Sequence, residues 1–256
     1  MTVLFTRTFP SHRVSDFDSP TYLLQGSAGK TSCLEVVFKG MPAKDTFFLD
    51  PTSRETRLDV NTIIPFQLWD CPGNHHVENL GAPLSAFSSL VYVIDLQDEY
   101  GHAVNHLIHL MAIIHETNRD LHIEVFAHKA ENNFRQLQER VYLETIDHPL
   151  PLQDMRVTFH LTSVYDHTIF EAWSRVIQKL VKPLATLENL LNVLCSHSGL
   201  TKAFLFDVKT LIHVAADESP PDPTLYGLCC DYVQTIQQFS VLYKFVVIIF
   251  ISILLS

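Results

Sequence analysis

The run Tyr22–Thr31, YLLQGSAGKT, passes from apolar residues through a glycine turn into a segment with helical spacing. That segment is Lys30–Lys39, and Leu34, Val37 and Phe38 fall on one side of it. A glycine turn between a strand and a helix offers backbone N–H groups to an anion, and the helix N-terminus adds its positive end. In such a loop Lys30 reaches terminal phosphates and the Thr31 hydroxyl ligates magnesium, while Gly26, Ser27, Ala28, Gly29 and Ser32 line the cradle. The full pattern is GxxxxGK[ST]. Here Leu24 stands where that pattern has its first glycine, so a loop beginning at Gly26 is two residues short. Taken alone, an ordinary glycine turn explains the same residues.

Outward from this junction, strands alternate with helices. Phe47–Leu49 and Phe66–Trp69 are strand-like. Leu90–Ile94, LVYVI, is a continuous apolar run ending at Asp95, the pattern of a strand buried on both faces. His102–Glu116 reads as a helix, His122–Ala127 as a strand, Glu131–Ile146 as a helix and Val157–Leu161 as a strand. Ile169–Val181 is an amphipathic helix stopped before Pro183. Repeated β-α units predict an α/β fold with a mostly parallel six-stranded sheet, whose ligands bind at the carboxyl ends of the strands. After Pro183 the pattern changes. Leu187–Val193 is helical, Ala203–Asp207 and Leu211–Ala215 read as a hairpin, and Thr224–Gln238 is helical after the proline-rich Glu218–Pro223.

Three further motifs fall at strand ends. Asp70-Cys71-Pro72-Gly73 follows Phe66–Trp69 and is a DxxG: a carboxylate for magnesium and a glycine N–H for a γ-phosphate. His128-Lys129-Ala130-Glu131 follows His122–Ala127 and approximates [NTH]KxD, the guanine-reading motif, with Glu131 in place of aspartate. Thr162 and Ser163 follow the last strand, where small residues suit a loop against a base. Each alone is weak; four in order at four strand ends are not.

Composition bounds the rest. At ~150 residues per domain, 256 residues make one large domain and a smaller one. The apolar fraction of 47% excludes a disordered chain. A formal charge of −10 makes the chain a poor candidate for gripping nucleic acid through phosphates. The five cysteines form no CxxC and read as reduced thiols of a cytosolic protein. No apolar run of signal-peptide length opens the chain. Phe245–Leu255, FVVIIFISILL, is short of the ~20 residues of a spanning helix. Its β-branched and aromatic residues favour a strand, with a tail anchor as the alternative. His102, His106 and His109 share one helical face but lack the partners of a zinc motif, so they read as a solvated or partly packed face.

The blocks Asp70–Gly73, VYVID at Val91–Asp95, EVFAHK at Glu124–Lys129 and LTSVYDHTIFEAWS at Leu161–Ser174 resemble Rag GTPases. LATLENLLN at Leu184–Asn192 and KAFLFDV at Lys202–Val208 extend the resemblance, which is to the RagC/RagD branch and covers about Tyr22 to Tyr243. It implies a Ras-like P-loop GTPase domain over residues 21–183 and a partial roadblock-type α/β dimerisation domain over 184–244. An N-terminal extension (1–20) and an apolar tail (245–256) flank them. It implies GTP/GDP and magnesium as ligands, with Thr31, Thr52 and Asp70 at the metal and Gly73, His128, Lys129 and Glu131 at the nucleotide. It also implies a heterodimer with a RagA/RagB-type GTPase on a scaffold complex at the lysosome or vacuole surface. There the cytoplasmic protein, without a transmembrane span of its own, relays amino-acid sufficiency to the TOR kinase complex. Asn74 stands where the family has a glutamine that helps orient water, so hydrolysis is expected to be slow. The short phosphate loop keeps a second reading open, a nucleotide-free pseudo-GTPase acting as a scaffold.

Overall fold

The computed structural model describes residues 3–6, 21–24, 29–50, 52–60, 66–72, 80–97, 99–129, 133–243 and 250–253. The chain divides into two compact units, Met1–Val36 with Met41–Ser163 and Val37–Gly40 with Val164–Ser256.

The first unit is built on a sheet of strands β1 (Val3–Thr6), β2 (Thr21–Leu24), β3 (Thr56–Val60), β4 (Phe66–Asp70), β5 (Ser89–Asp95), β6 (His122–His128) and β7 (Val157–Thr162). Their order is β3-β4-β1-β2-β5-β6-β7. β5, β6 and β7 run parallel, and their register aligns Asp95 with His128 and His128 with Thr162. β2 is parallel to β4 and β5, whereas β1 and β3 are antiparallel to their neighbours. Residues Ser89–Ile94 of β5 and Ile123–His128 of β6 are all buried, as expected of central strands covered on both faces. Helix α1 (Lys30–Lys39) follows β2, α2 (Gly101–Thr117) links β5 to β6, and α3 (Phe134–Ile146) links β6 to β7. α2 buries Val104, Leu107, Ile108, Leu110, Met111 and Ile114, a stripe at helical spacing.

Among the described residues the sheet has seven strands, against the expected six. Phe47–Leu49 is not a strand: Ala43–Phe48 forms a 3₁₀ helix. Pro42 enters it at φ −58, and the Thr46 hydroxyl donates to the Ala43 carbonyl at 2.7 Å, a local bond that competes with sheet pairing. Phe47 and Phe48 are left exposed, edge to face at 5.6 Å. Strand β3 has only Val60 buried, although Thr56, Leu58 and Val60 alternate with Arg57 and Asp59 at the two-residue strand period. The seventh strand, β1, lies within the stretch read as an extension.

The second unit holds α4 (Thr168–Gln178), α5 (Leu184–Ser198), β8 (Lys202–Asp207), β9 (Ile212–Ala216), α6 (Pro223–Tyr243) and β10 (Phe250–Ile253). β8 and β9 form the expected antiparallel hairpin. Its turn closes at Leu211, which takes a left-handed φ of 57. The two-residue strand period sorts the side chains of β8, and on β9 a bulge opposite Leu205 and Phe206 sends Ala215 and His213 to different faces. Ala203 and Ala215 join Leu191 in an apolar cluster with Leu184, Leu187, Cys195 and Leu205. Phe204, Phe206 and His213 instead meet the Tyr226 ring of α6, at 5.9, 5.8 and 5.0 Å. α4 closes on β9 through Ser174, whose hydroxyl oxygen accepts the His213 N–H at 3.0 Å. Trp173 is fully buried, and the Phe38 ring of the last turn of α1 stands edge-on to it at 5.1 Å. The apolar tail contributes β10, antiparallel to β8 from Phe250↔Leu205 to Ile253↔Lys202. Among the described residues, no helix is long and apolar enough to cross a membrane.

Candidate functional site

The site lies in the first unit, at the carboxyl ends of β4, β5, β6 and β7 and the start of α1. Gly29 enters α1 at φ +84, a conformation open to glycine and strained for other residues. Its carbonyl accepts the Cys33 N–H at 3.0 Å, the first turn of the helix. Lys30 and Thr31 are thereby fixed on rigid backbone.

Thr31, Thr52 and Asp70 converge. The Thr31 hydroxyl donates to Asp70 Oδ2 at 2.9 Å and lies 2.6 Å from the Thr52 hydroxyl. Thr52 donates to the same Oδ2 at 3.1 Å. Asp70 Oδ1 is buried without a hydrogen-bond partner, and its nearest cation is Lys30 Nζ at 4.0 Å. A buried carboxylate oxygen left unsatisfied is unusual and calls for a ligand. Three hard oxygen donors around it suit a small divalent cation such as magnesium. Burial pushes the Asp70 carboxyl up from its ordinary range, against the pull of Lys30 and of the two threonine hydrogen bonds. Burial likewise draws Lys30 down, against the attraction of Asp70 and Cys71. Cys33, fully buried behind them, is pushed up to about 12 by desolvation and is an inert thiol rather than a nucleophile.

The second half of the site is a row across three parallel strands. Asp95, His128 and Thr162 occupy aligned positions at the ends of β5, β6 and β7. His128 Nδ1 is 3.1 Å from the Thr162 hydroxyl. Lys129 takes a left-handed φ of 74, and its N–H donates to the Thr162 carbonyl at 3.1 Å. Its ammonium pairs with Asp95 Oδ2. Both halves meet at Gly29: a Cβ built there would lie 3.3 Å from His128 Cδ2 and 3.8 Å from Lys129 Cε.

Of the residues singled out from sequence, the structure brings together Gly29, Lys30, Thr31, Thr52, Asp70, His128, Lys129 and Thr162. Ser32 and Ser163 are half-buried on the adjoining ends of α1 and β7. Gly26, Ser27, Ala28, Gly73, Asn74 and Glu131 lie outside the described residues. One participant was missed. In the sequence Asp95 shows only as the end of an apolar run, although a carboxylate at the carboxyl end of a parallel strand is itself a signal.

Gly29→Ala should be costly. The added methyl needs a left-handed backbone and room that His128 occupies. We expect a loss of about 1–2 kcal/mol in urea unfolding, and an unchanged midpoint would show that the turn does not have this geometry.

The Gtr1/RagA G protein conserved region matches residues 22–233. The chain is 40% identical over 228 residues to the GTP-binding protein gtr2 of Schizosaccharomyces pombe, covering 84% of this chain and 72% of that protein. It is 37% identical over 245 residues to Ras-related GTP-binding protein C of Mus musculus, covering 90% of this chain and 61% of that protein. It is 38% identical over 240 residues to Ras-related GTP-binding protein D of Mus musculus, covering 88% of this chain and 53% of that protein. This chain thus spans between about half and three quarters of the length of these relatives. The fold is accordingly an α/β, P-loop GTPase-like one. The chain belongs to the Gtr/Rag family of G proteins, in its Gtr2/RagC/RagD branch.

Proposed function

We propose that the chain is the guanine-nucleotide-binding switch subunit of a Rag-type heterodimer, holding GDP or GTP with magnesium and hydrolysing GTP slowly. The observation that carries this reading is the Thr31–Thr52–Asp70 oxygen cluster, with its unsatisfied carboxylate oxygen, beside the Lys30 ammonium. Lys30 and the N–H groups of the phosphate loop would neutralise the terminal phosphates. Thr31, Thr52 and Asp70 would hold the magnesium, which when bound offsets the charge of those phosphates. The Lys129 stem would lie along the purine face, with Thr162 and Ser163 at its edge and Glu131 accepting from the base. Asn74 has a shorter arm than glutamine for orienting water, which supports a slow intrinsic rate.

The branch supports the remaining expectations. Residues 21–183 would form the GTPase domain and 184–244 part of a roadblock-type dimerisation domain. The partner would be a RagA/RagB-type GTPase. The pair would sit in the cytoplasm against a lysosomal or vacuolar scaffold and relay amino-acid sufficiency to the TOR kinase complex. A second reading, a nucleotide-free scaffold, is favoured by one observation: Leu24 in the first glycine position leaves the loop two residues short.

Nucleotide content separates the two. The chain is co-purified with a RagA/RagB-type partner whose own site has been disabled. The complex is then denatured and its nucleotides resolved by ion exchange. Near-stoichiometric guanine nucleotide is the expected result; an empty, folded complex would establish the scaffold.

A further inference from the structure

Lys129 is exposed over about a third of its side chain and sits on a left-handed backbone, so nothing in its own rotamer preferences fixes where its ammonium points. Its fixing comes from elsewhere. Asp95 Oδ2 takes the ammonium, while Oδ1 of the same carboxylate accepts the Gln97 N–H at 3.0 Å and is thereby oriented. The Asp95 carboxylate is mostly shielded, with 12% exposure, and stands on the strand whose register sets His128 and Thr162. The backbone on either side is tied as well. Leu96 N–H donates to the His128 carbonyl at 3.0 Å, and the Gln97 side-chain amide reaches the Lys129 carbonyl at 3.4 Å.

We infer that Asp95 is a positioning residue for the nucleoside half of the site. It holds the Lys129 side chain extended along the strand ends, beside Gly29, in the place a purine would stack against. This inference rests on the nucleotide-binding reading. A flexible lysine pays side-chain entropy when it is ordered by a ligand. One already held by a carboxylate on a rigid strand does not, and preorganisation of this kind raises affinity without adding a contact. The carboxylate has a second effect. It neutralises the ammonium locally, so that Lys129 contributes its stem and directed N–H groups to a neutral base and does not draw phosphate into the wrong half of the site.

The test uses the full chain, fluorescent GDP and magnesium pyrophosphate as separate probes. Asp95→Asn is expected to weaken GDP about tenfold, the scale of one charge-assisted hydrogen bond. It should leave pyrophosphate binding unchanged, because that ligand occupies only the phosphate half. In a Lys129→Met background, Asp95→Asn should cost nothing more, since its effect runs through the lysine. Asp95→Glu should recover part of the loss. Equal losses for GDP and pyrophosphate, or additive losses with Lys129→Met, would make Asp95 a structural residue and overturn the inference. Unchanged GDP affinity would do so too. Asp95→Ser takes the place of Asp95→Asn if the latter does not fold. A parent chain that binds neither probe overturns the nucleotide reading and this inference with it, which is distinct from a parent that binds both and a variant that loses nothing.

Discussion

Lys30→Ala will leave the protein without bound nucleotide. The Lys30 ammonium is almost fully buried, 4.0 Å from Asp70 Oδ1, and holds the first position of α1 behind Gly29. No other lysine or arginine of the described residues is paired with Asp70. Removing one partner of a buried ion pair costs roughly 3–5 kcal/mol, because the charge left behind has neither water nor a counter-ion. A phosphate brought to that place would add negative charge beside the bare Asp70 carboxylate. We expect nucleotide affinity to fall at least about a hundredfold, read as the nucleotide released on denaturation. The pH dependence distinguishes charge from packing. Asp70 is already pushed up by burial, and Lys30 is the first influence opposing that rise. Without Lys30 the carboxyl rises further. A carboxyl raised in the fold contributes stability that is present below its unfolded value and lost as pH rises through the folded one. The variant should therefore lose stability relative to the parent as pH rises above the ordinary carboxylate range. A variant that keeps its full nucleotide complement would place the phosphate elsewhere.

Much of the frame was legible because the physics is periodic. β5 is buried on both faces and shows as an unbroken apolar run, β6 is buried likewise around the polar Glu124, and α2 and α4 show stripes at helical spacing. The site was legible because each of its motifs ends a strand. What escaped was decided by local bonding or by the edge of the sheet. Phe47 and Phe48 have strand-like side chains, yet Pro42 and the Thr46 hydroxyl wind them into a 3₁₀ turn. β3 is an edge strand with one buried residue, and its short alternation of Thr56, Leu58 and Val60 with Arg57 and Asp59 is a weak signal beside the apolar pair Phe47–Phe48. Asp95 escaped for a third reason. Its partner Lys129 is distant in sequence, and only the β5–β6 register sets the two side by side.

On the nucleotide-binding reading, the two buried charges would make the site costly until a ligand balances them. Burial disfavours the charged form of both Asp70 and Lys30, and their mutual attraction at 4.0 Å only partly offsets this. The directions are opposite in pH. Asp70 costs stability above the ordinary carboxylate range. Lys30, drawn down in the fold, contributes stability present above its unfolded value and lost as pH falls through the lowered one. At neutral pH both therefore weigh against the empty fold. A ligand that supplies a cation to Asp70 and an anion to Lys30 relieves both at once, and binding linked to the folded state stabilises it by mass action. On the proposed reading, low stability without magnesium nucleotide and strong stabilisation by it would be two aspects of one arrangement.

Asp70→Asn tests that arrangement from the other side, and its effects on stability and on magnesium binding are read separately. Asparagine keeps an oxygen that can accept from Thr31 and Thr52, so the 2.9 and 3.1 Å hydrogen bonds have a counterpart in the variant. It removes the buried negative charge that burial penalises. It also leaves the buried Lys30 ammonium without its counter-ion, so without nucleotide the variant should be less stable than the parent at neutral pH, by up to about 3–5 kcal/mol. The increment that magnesium adds should vanish, because a neutral amide in place of the carboxylate leaves two hydroxyls and no anionic ligand. In the parent, magnesium should tighten GDP by about a hundredfold or more, the scale of a charge-assisted site. In Asp70→Asn, titration with and without a chelator should give the same affinity. Melting of both proteins, empty and with magnesium GDP, reads the stability half. A variant that is destabilised when empty and still responds to magnesium would mean that Asp70 serves the fold and that the cation is held elsewhere. A variant with no magnesium response would locate the cation at Asp70, whatever its stability without nucleotide.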